Sequence, residues 1–341
     1  MKRKGFWAVV LTASMVFAML AGCGSASSKT SSSESTSAST SSGTKKIMLS
    51  MAARDEFLST LEEGIKNNMP DGYELDSQDA QNDAAKQLQQ VETAKNAGAA
   101  AIIVNICDVE TAAQVKEAAG DTPLVFVNRL PSDTSVFSDT CCCVTSNEVL
   151  AGQYQGEYLA KYFKAKGQTT IKYVLLNGTI GMNSTTKRTE GVLNALKDNG
   201  ITAEEATSPL ACEYDRAKTI DKFSPIIGTV TFDCIISNND AMALGAIEAL
   251  KSKGMDPSAT PIVGIDATAD GRQAIKDGKL AMSVFQDPTG QGKGSITAAL
   301  NLLNKKDIAT DTGYEKDDTG HIVWVPFEAV TKDNVAEYDN R

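Results

Sequence analysis

The sequence predicts an α/β protein made of two doubly wound parallel-sheet lobes joined by a three-segment hinge. Three observations predict it. Short apolar runs of strand length alternate with stretches of helical spacing from 46 to 326, the pattern of parallel sheets whose helices form right-handed crossovers on both faces. The alternation restarts after 141–145, so the two halves look like two copies of one architecture, although no formal internal repeat is visible. Finally, the 297 residues from 45 to 341 exceed the usual size of a single core.

The part before 45 is of another kind. Lys2, Arg3 and Lys4 precede an apolar run over 6–20 and then Leu20-Ala21-Gly22-Cys23. A charged start, a short apolar stretch and small residues at the cut form a secretory signal over 1–22, and the run is too short to span a bilayer. Leu-Ala-Gly-Cys resembles the lipobox of bacterial lipoproteins, which implies that Cys23 is lipidated and becomes the mature N-terminus. Residues 24–44 are almost entirely Ser, Thr, Ala and Gly, a composition that cannot bury a core. Such a tether reaches roughly 25 Å by the ~5–6 Å × √n rule. Residues 23–44 are therefore expected to be a lipidated N-terminus and linker, and the protein to be extracytoplasmic, held to the outer face of the cell membrane by the lipid alone.

Charge excludes some partners. The chain carries 33 basic and 43 acidic residues, a net of −10, and −13 once Lys2, Arg3 and Lys4 leave with the signal. Such acidity argues against nucleic acid and against a face that adsorbs to membranes. Six cysteines follow Cys23, and Cys107, Cys143 and Cys234 lie in apolar runs, where a free thiol acts as a small hydrophobe. Strand alternation puts Cys141 and Cys143 on one face and Cys142 on the other. No CxxC pair accompanies them and His321 is the only histidine, so packing is the first reading and a disulfide to Cys107 or Cys212 the second.

Taken in order, 46–50 is a first strand, followed by a helix whose face is Phe57, Leu58, Leu61, Ile65 and Met69. A strand over 73–77 leads through Asp79 and Asp83 to a helix with Ala84, Leu88, Val91 and Ala94 inward. Strand 100–104, helix 109–119 and strand 123–127 complete the first set, and strand 141–145 ends it. A long helix over 147–166 opens the second set, then strand 171–176, a loop over 177–184 and a helix through Val192 and Leu196 with Arg188 in its first turns. Strand 203–207, a loop with Tyr214 and helix 217–227 come next. Strand 234–237 ends in Asn238-Asn239-Asp240, where Asp240 is the expected N-cap of a helix to 251. Strand 262–265 ends in Asp266, and helix 271–277, strand 281–285, helix 292–303 and strand 322–326 finish the chain. Crossings near 145–147, 286–288 and 321–322 would divide it into an N-lobe of 45–146 plus 288–320 and a C-lobe of 147–286 plus 322–341.

In open α/β sheets ligands bind at the carboxyl ends of the strands. Those ends carry Asp55, Phe57, Asn128, Ser184, Arg188, Tyr214, Asn239, Asp266 and Gln286, drawn from both lobes. Carboxylates, carboxamides and a guanidinium are planar groups that can hold two adjacent hydroxyls, and Phe and Tyr can cover a C–H face. The set is that of a carbohydrate site.

The chain resembles the type I periplasmic sugar-binding proteins of ABC importers, and is most similar to those that bind D-galactose and D-glucose. The resemblance runs from about 46 to the C-terminus. It is carried by Asn238-Asn-Asp-Ala-Met-Ala-Leu-Gly-Ala-Ile-Glu-Ala-Leu-Lys251, Gly264-Ile-Asp266, Phe126-Val-Asn-Arg-Leu-Pro131, Gln81-Asn-Asp83 and Val325-Pro-Phe-Glu-Ala-Val-Thr-Lys-Asp-Asn334. It implies that Asp55 and Asn128 from one lobe, and Asn239 and Asp266 from the other, bind sugar hydroxyls. It also implies that Arg188 lies near the ring oxygen, that Phe57 and Tyr214 sandwich the ring, and that Gln286 fills a position held by asparagine. Two departures stand out. Met182 and Ser184 occupy places where the galactose and glucose binders have His and Asp, and Tyr214 stands for Trp. The family's calcium loop is matched by Ala165-Lys-Gly-Gln-Thr169, which has no carboxylates, so no calcium site is expected.

By the same resemblance the lobes close on a monosaccharide and a permease reads the closed form, with no cofactor and a monomeric state. A chemoreceptor or sensor is the alternative partner, and a pentose or another small polar signal the alternative ligand. An enzyme is not expected. His321 has no Ser or Cys nucleophile beside it, no Gly-rich phosphate loop follows a strand, and no metal-ligand cluster exists. A sugar-responsive repressor would need a helix-turn-helix where this chain has a signal.

Overall fold

The computed structural model describes residues 44–341. The export signal, Cys23 and the linker up to 43 lie outside the described residues. The chain begins with β1 (Lys45–Met51), α1 (Glu56–Asn67), β2 (Tyr73–Asp79), α2 (Ala84–Asn96), β3 (Ala101–Val104), α3 (Ala112–Ala119), β4 (Leu124–Val127) and β5 (Cys141–Thr145). It then passes to α4 (Glu148–Lys164), β6 (Thr170–Asn177), α5 (Asn183–Asp198), β7 (Thr202–Glu205), β8 (Leu210–Ala211), α6 (Arg216–Phe223), β9 (Cys234–Ser237), α7 (Asp240–Ser252), β10 (Ile262–Val263), α8 (Ala269–Lys276) and β11 (Met282–Gln286). The last stretch holds α9 (Pro288–Leu303), β12 (Glu315–Lys316), β13 (Ile322–Trp324) and β14 (Phe327–Thr331).

Two sheets result. The first runs β12-β13-β5-β4-β3-β1-β2 and the second β14-β11-β10-β9-β6-β7, with β8 also paired to β6. Pairing is parallel apart from β12 with β13 and β11 with β14. Each sheet reverses its winding beside its first strand, between β1 and β3 and between β6 and β9. Strands β3, β4, β5 and β9 are buried along their whole length, as strands covered on both faces must be. Cys142 packs into the core on one side of the first sheet and Cys141 and Cys143 on the other. All six cysteines of the described residues are free.

Helix starts follow from short polar side chains. Asp55, Asp83, Asn147, Asp215, Asn239, Thr268 and Asp287 each accept a backbone N–H in the first turn of the helix they precede. Asn239, rather than Asp240, therefore caps α7. Asp240 is its first helical residue and is fully buried.

The third passage between the sheets also differs from expectation. Ile322–Trp324 pairs in parallel with β5, so this strand belongs to the first sheet and the chain crosses at Val325 and Pro326, not at His321–Ile322. Residues 322–324 are thus not part of the second lobe. The strand that does return to the second sheet is β14, antiparallel to β11.

Helices α4 and α5 pack at close range on the second sheet. A Cβ placed on Gly152 would lie 2.0 Å from the Arg188 carbonyl oxygen. Gly152→Ala is expected to destabilise the protein by about 1–3 kcal/mol through overpacking, read as a lower denaturation midpoint with an unchanged denaturant slope.

Candidate functional site

The strand ends of the two sheets face one cavity of about 610 Å³, counted out to its mouth. All ten residues singled out in the sequence line it: Asp55, Phe57, Asn128, Met182, Ser184, Arg188, Tyr214, Asn239, Asp266 and Gln286. Its lining, a few convergent polar groups among apolar and aromatic side chains, is that of a small-molecule pocket.

Arg188, in α5, is the centre of the second-lobe half. It is 4 % exposed. Its Nε donates to Glu148 Oε2 at 2.6 Å, one terminal nitrogen donates to the Asn238 carbonyl at 2.6 Å, and the other to Gln286 Oε1 at 3.3 Å. Asp266 Oδ1 stands 3.9 Å from the guanidinium. Burial works against the charge, but Glu148, Tyr214 and Asp266 outweigh it and hold the arginine protonated. Gln286 is oriented by this contact, and its Nε2 is buried with no partner in the protein. A donor left unpaired in a cavity is one that a ligand oxygen can satisfy.

Asp266 follows β10 in a backbone conformation that L-residues rarely adopt, with φ of +111°, and Ala267 continues it at +47°. Burial raises the Asp266 carboxyl well above the usual range, Arg188 opposing it. Asn239 spends its Oδ1 on the Met242 N–H at 3.0 Å, which leaves its amide nitrogen for the cavity.

In the first lobe, Asp55 gives one oxygen to the Leu58 N–H at 2.8 Å as the cap of α1 and keeps the other. Asn128 also has φ of +68°. Its amide donates to Gln291 Oε1 at 3.2 Å, and Gln291 in turn donates to Ser146 Oγ at 2.9 Å. One amide that lines the cavity is thus tied to residues at two of the three passages between the sheets.

Tyr214, at φ of +62°, lies with the outer half of its ring against Gly178, where a Cβ would come within 2.0 Å of Cζ. Its hydroxyl is hydrogen-bonded to Ser184 Oγ at 2.7 Å and Thr185 Oγ1 at 2.8 Å. The Ser184 hydroxyl is therefore engaged by the aromatic it helps to fix. Met182, 8 % exposed, joins the apolar cluster of the first lobe although it belongs to the second.

Sequence reasoning missed two charged lining residues, Arg129 and Glu148. Arg129 donates to the Ile106 carbonyl at 2.9 Å; burial lowers its pKa and Asp55 opposes that. Its adjacency to Asn128 was the available signal. Glu148 had none, because an acid in the first turn of a helix is ordinary on an exposed surface. Among the described residues, no group of three His, Cys, Asp or Glu side chains is placed to hold a metal ion, and no helix is long and apolar enough to cross a membrane.

Comparison with known proteins agrees with this geometry. The family described as periplasmic binding protein domain matches residues 47–307. A Rhizobium meliloti protein named for rhizopine binding is 35 % identical over 86 % of this chain and 92 % of its own length. The D-galactose/methyl-galactoside binding periplasmic protein of Haemophilus influenzae is 30 % identical over 83 % of this chain and 88 % of its own. Among solved structures, an ABC transporter solute-binding protein from Bacillus halodurans with bound myo-inositol superposes with a TM-score of 0.73, at 29 % identity, covering 87 % of this chain and 98 % of that one.

Proposed function

The chain belongs to the periplasmic binding protein family, and from that premise we propose that it captures one polyhydroxylated ring between its lobes and delivers it to an ABC permease. The observation that carries this reading is the convergence of Asp55, Asn128, Arg188, Asn239, Asp266 and Gln286 on one cavity, drawn from both sheets. Each is a planar group suited to adjacent hydroxyls, and Phe57 and Tyr214 supply faces for the C–H side of a ring. Closure is a rotation about the three passages between the sheets, and the closed form is what the permease reads. Cys23 holds the protein at the outer face of the membrane through its lipid. Members of this family bind substrates and are not enzymes.

Within that class, a cyclitol such as myo-inositol comes ahead of galactose and glucose. The inositol-bound structure supports it. So does Ser184, whose hydroxyl is engaged with Tyr214 where the galactose and glucose binders carry an acid. The galactose or glucose reading stands second, on the Haemophilus influenzae relative.

A thermal-shift panel of myo-inositol, galactose, glucose and ribose, with and without chelator, tests the proposal. A true ligand at 100 times its Kd stabilises the fold by ~2.7 kcal/mol, a shift of several degrees. The shift is expected with myo-inositol first and to survive chelator. No shift with any of the four at millimolar concentration would sink the reading.

A further inference from the structure

Asp240 does not line the cavity, yet it is a fully buried carboxylate directly behind the turn that carries Asp266. Its backbone N–H donates to the Ile265 carbonyl at 2.7 Å. Its Oδ2 accepts the Thr268 N–H at 2.9 Å, and its Oδ1 accepts the Ser283 hydroxyl at 2.6 Å. Ser283 Oγ in turn accepts the Ala267 N–H at 3.0 Å. The turn on either side of Asp266 is thus gripped by one residue, through its backbone N–H at 265 and through its side chain and hydroxyl relay at 267 and 268. The space is kept for that carboxylate, since a Cβ on Gly264 or on Gly271 would lie 2.1 Å from one of its oxygens.

That grip faces a strained segment. Asp266 and Ala267 both have positive φ, a strained conformation for L-residues that persists only where surrounding bonds over-determine it. We infer that Asp240 is the positioning residue of the ligand site: it holds the 265–268 turn in its strained form and so aims the Asp266 carboxylate at ligand hydroxyls. The inference rests on the proposed binding function, because Asp266 is the group it serves.

Both carboxylate oxygens of Asp240 accept hydrogen bonds, so the ionised form fits the turn. Burial raises its pKa to about 7; Ser283, the Thr268 N–H and Arg272 of α8 lower it, and Glu56 of α1 raises it. Asp266 faces it as a like charge. A proton entering below about pH 7 sets an O–H against one of these two donors and loosens the turn, so affinity falls as pH falls. Stability of the ligand-free fold moves the other way. A carboxyl with a raised folded pKa binds a proton that the unfolded chain does not, so this group stabilises the fold as pH drops from about 7 to about 4.

The test uses the full chain and two readouts, amide hydrogen exchange at 267 and 268 without ligand and calorimetric titration with myo-inositol from pH 5.5 to 8.5. Asp240→Asn puts an N–H₂ against one donor. It is expected to exchange at both amides about tenfold faster or more, to bind at least tenfold more weakly at pH 8, and to lose the affinity step near pH 7. Should that variant fail to fold, Ser283→Ala cuts only the relay and is expected to speed exchange at Ala267 alone. Unchanged exchange in a folded Asp240→Asn, or faster exchange with unchanged affinity, would overturn the inference. If the wild type binds none of the panel sugars, the proposed function fails separately and the exchange result decides on the positioning role.

Discussion

Arg188→Ala is expected to be the most damaging single change, abolishing ligand binding and costing the fold about 3–5 kcal/mol. The reason is the company it keeps. Glu148 is 8 % exposed and has its ion pair with the Arg188 Nε, so truncation leaves a buried, uncompensated carboxylate beside the Asn238 carbonyl and Gln286 Oε1. A lower denaturation midpoint together with flat calorimetry is the expected result. The double variant Arg188→Met with Glu148→Leu separates the two losses. Replacing a buried ion pair by apolar groups of similar volume is often neutral or stabilising, so the fold should recover while binding does not. If the double variant regains binding as well, Arg188 serves the scaffold and not the ligand.

Asp266→Ala should behave in the opposite sense for the fold. It is expected to weaken binding by about 2–4 kcal/mol, or ~30-fold to nearly 1,000-fold, because ligand hydroxyls lose a buried acceptor. Yet the ligand-free protein should be as stable as the wild type, or more so, near neutral pH. The folded Asp266 carboxyl titrates well above its unfolded range because of burial, so its ionised form is disfavoured by folding and its contribution falls as pH rises through that window. Equal loss of affinity and of stability would mean that Asp266 is a structural acid. Asp55→Ala is expected to fall in the same range of affinity loss, and a tenfold or smaller loss in both variants would remove them from the site.

These two residues show how binding and stability are divided in the cavity. Arg188 is held by three protein acceptors and keeps only part of its fork for a ligand. Asp266 sits 3.9 Å from it, too far for a hydrogen bond between them. A ligand oxygen between the two would gain both. Gln286 Nε2, buried and unpaired, adds a third group that ligand binding would satisfy.

Much of this was legible from local sequence. Alternating apolar periods give two parallel sheets, because a strand buried on both faces and a helix buried on one leave different spacings in the chain. Polar residues at strand ends give the lining of the cavity, because that edge is where parallel sheets open. All nine residues picked on that ground line the same cavity, as does Met182, which only the family comparison singled out. Asn239 and Asp240 are both good caps by residue type, however, and only the tertiary packing of Asp240 against Gly264, Gly271, Thr268 and Ser283 decides which of them caps and which is buried. Arg129 and Glu148 look like surface charges until another element is folded over them. The strand at Ile322–Trp324 has the same apolar run whichever sheet it joins, and its pairing with β5 is a contact across nearly 180 residues. Periodicity is a property of one segment against its own solvent and core faces. Which partner that segment meets, and which charge is left buried, is decided only when the whole chain competes for the same pairing edges.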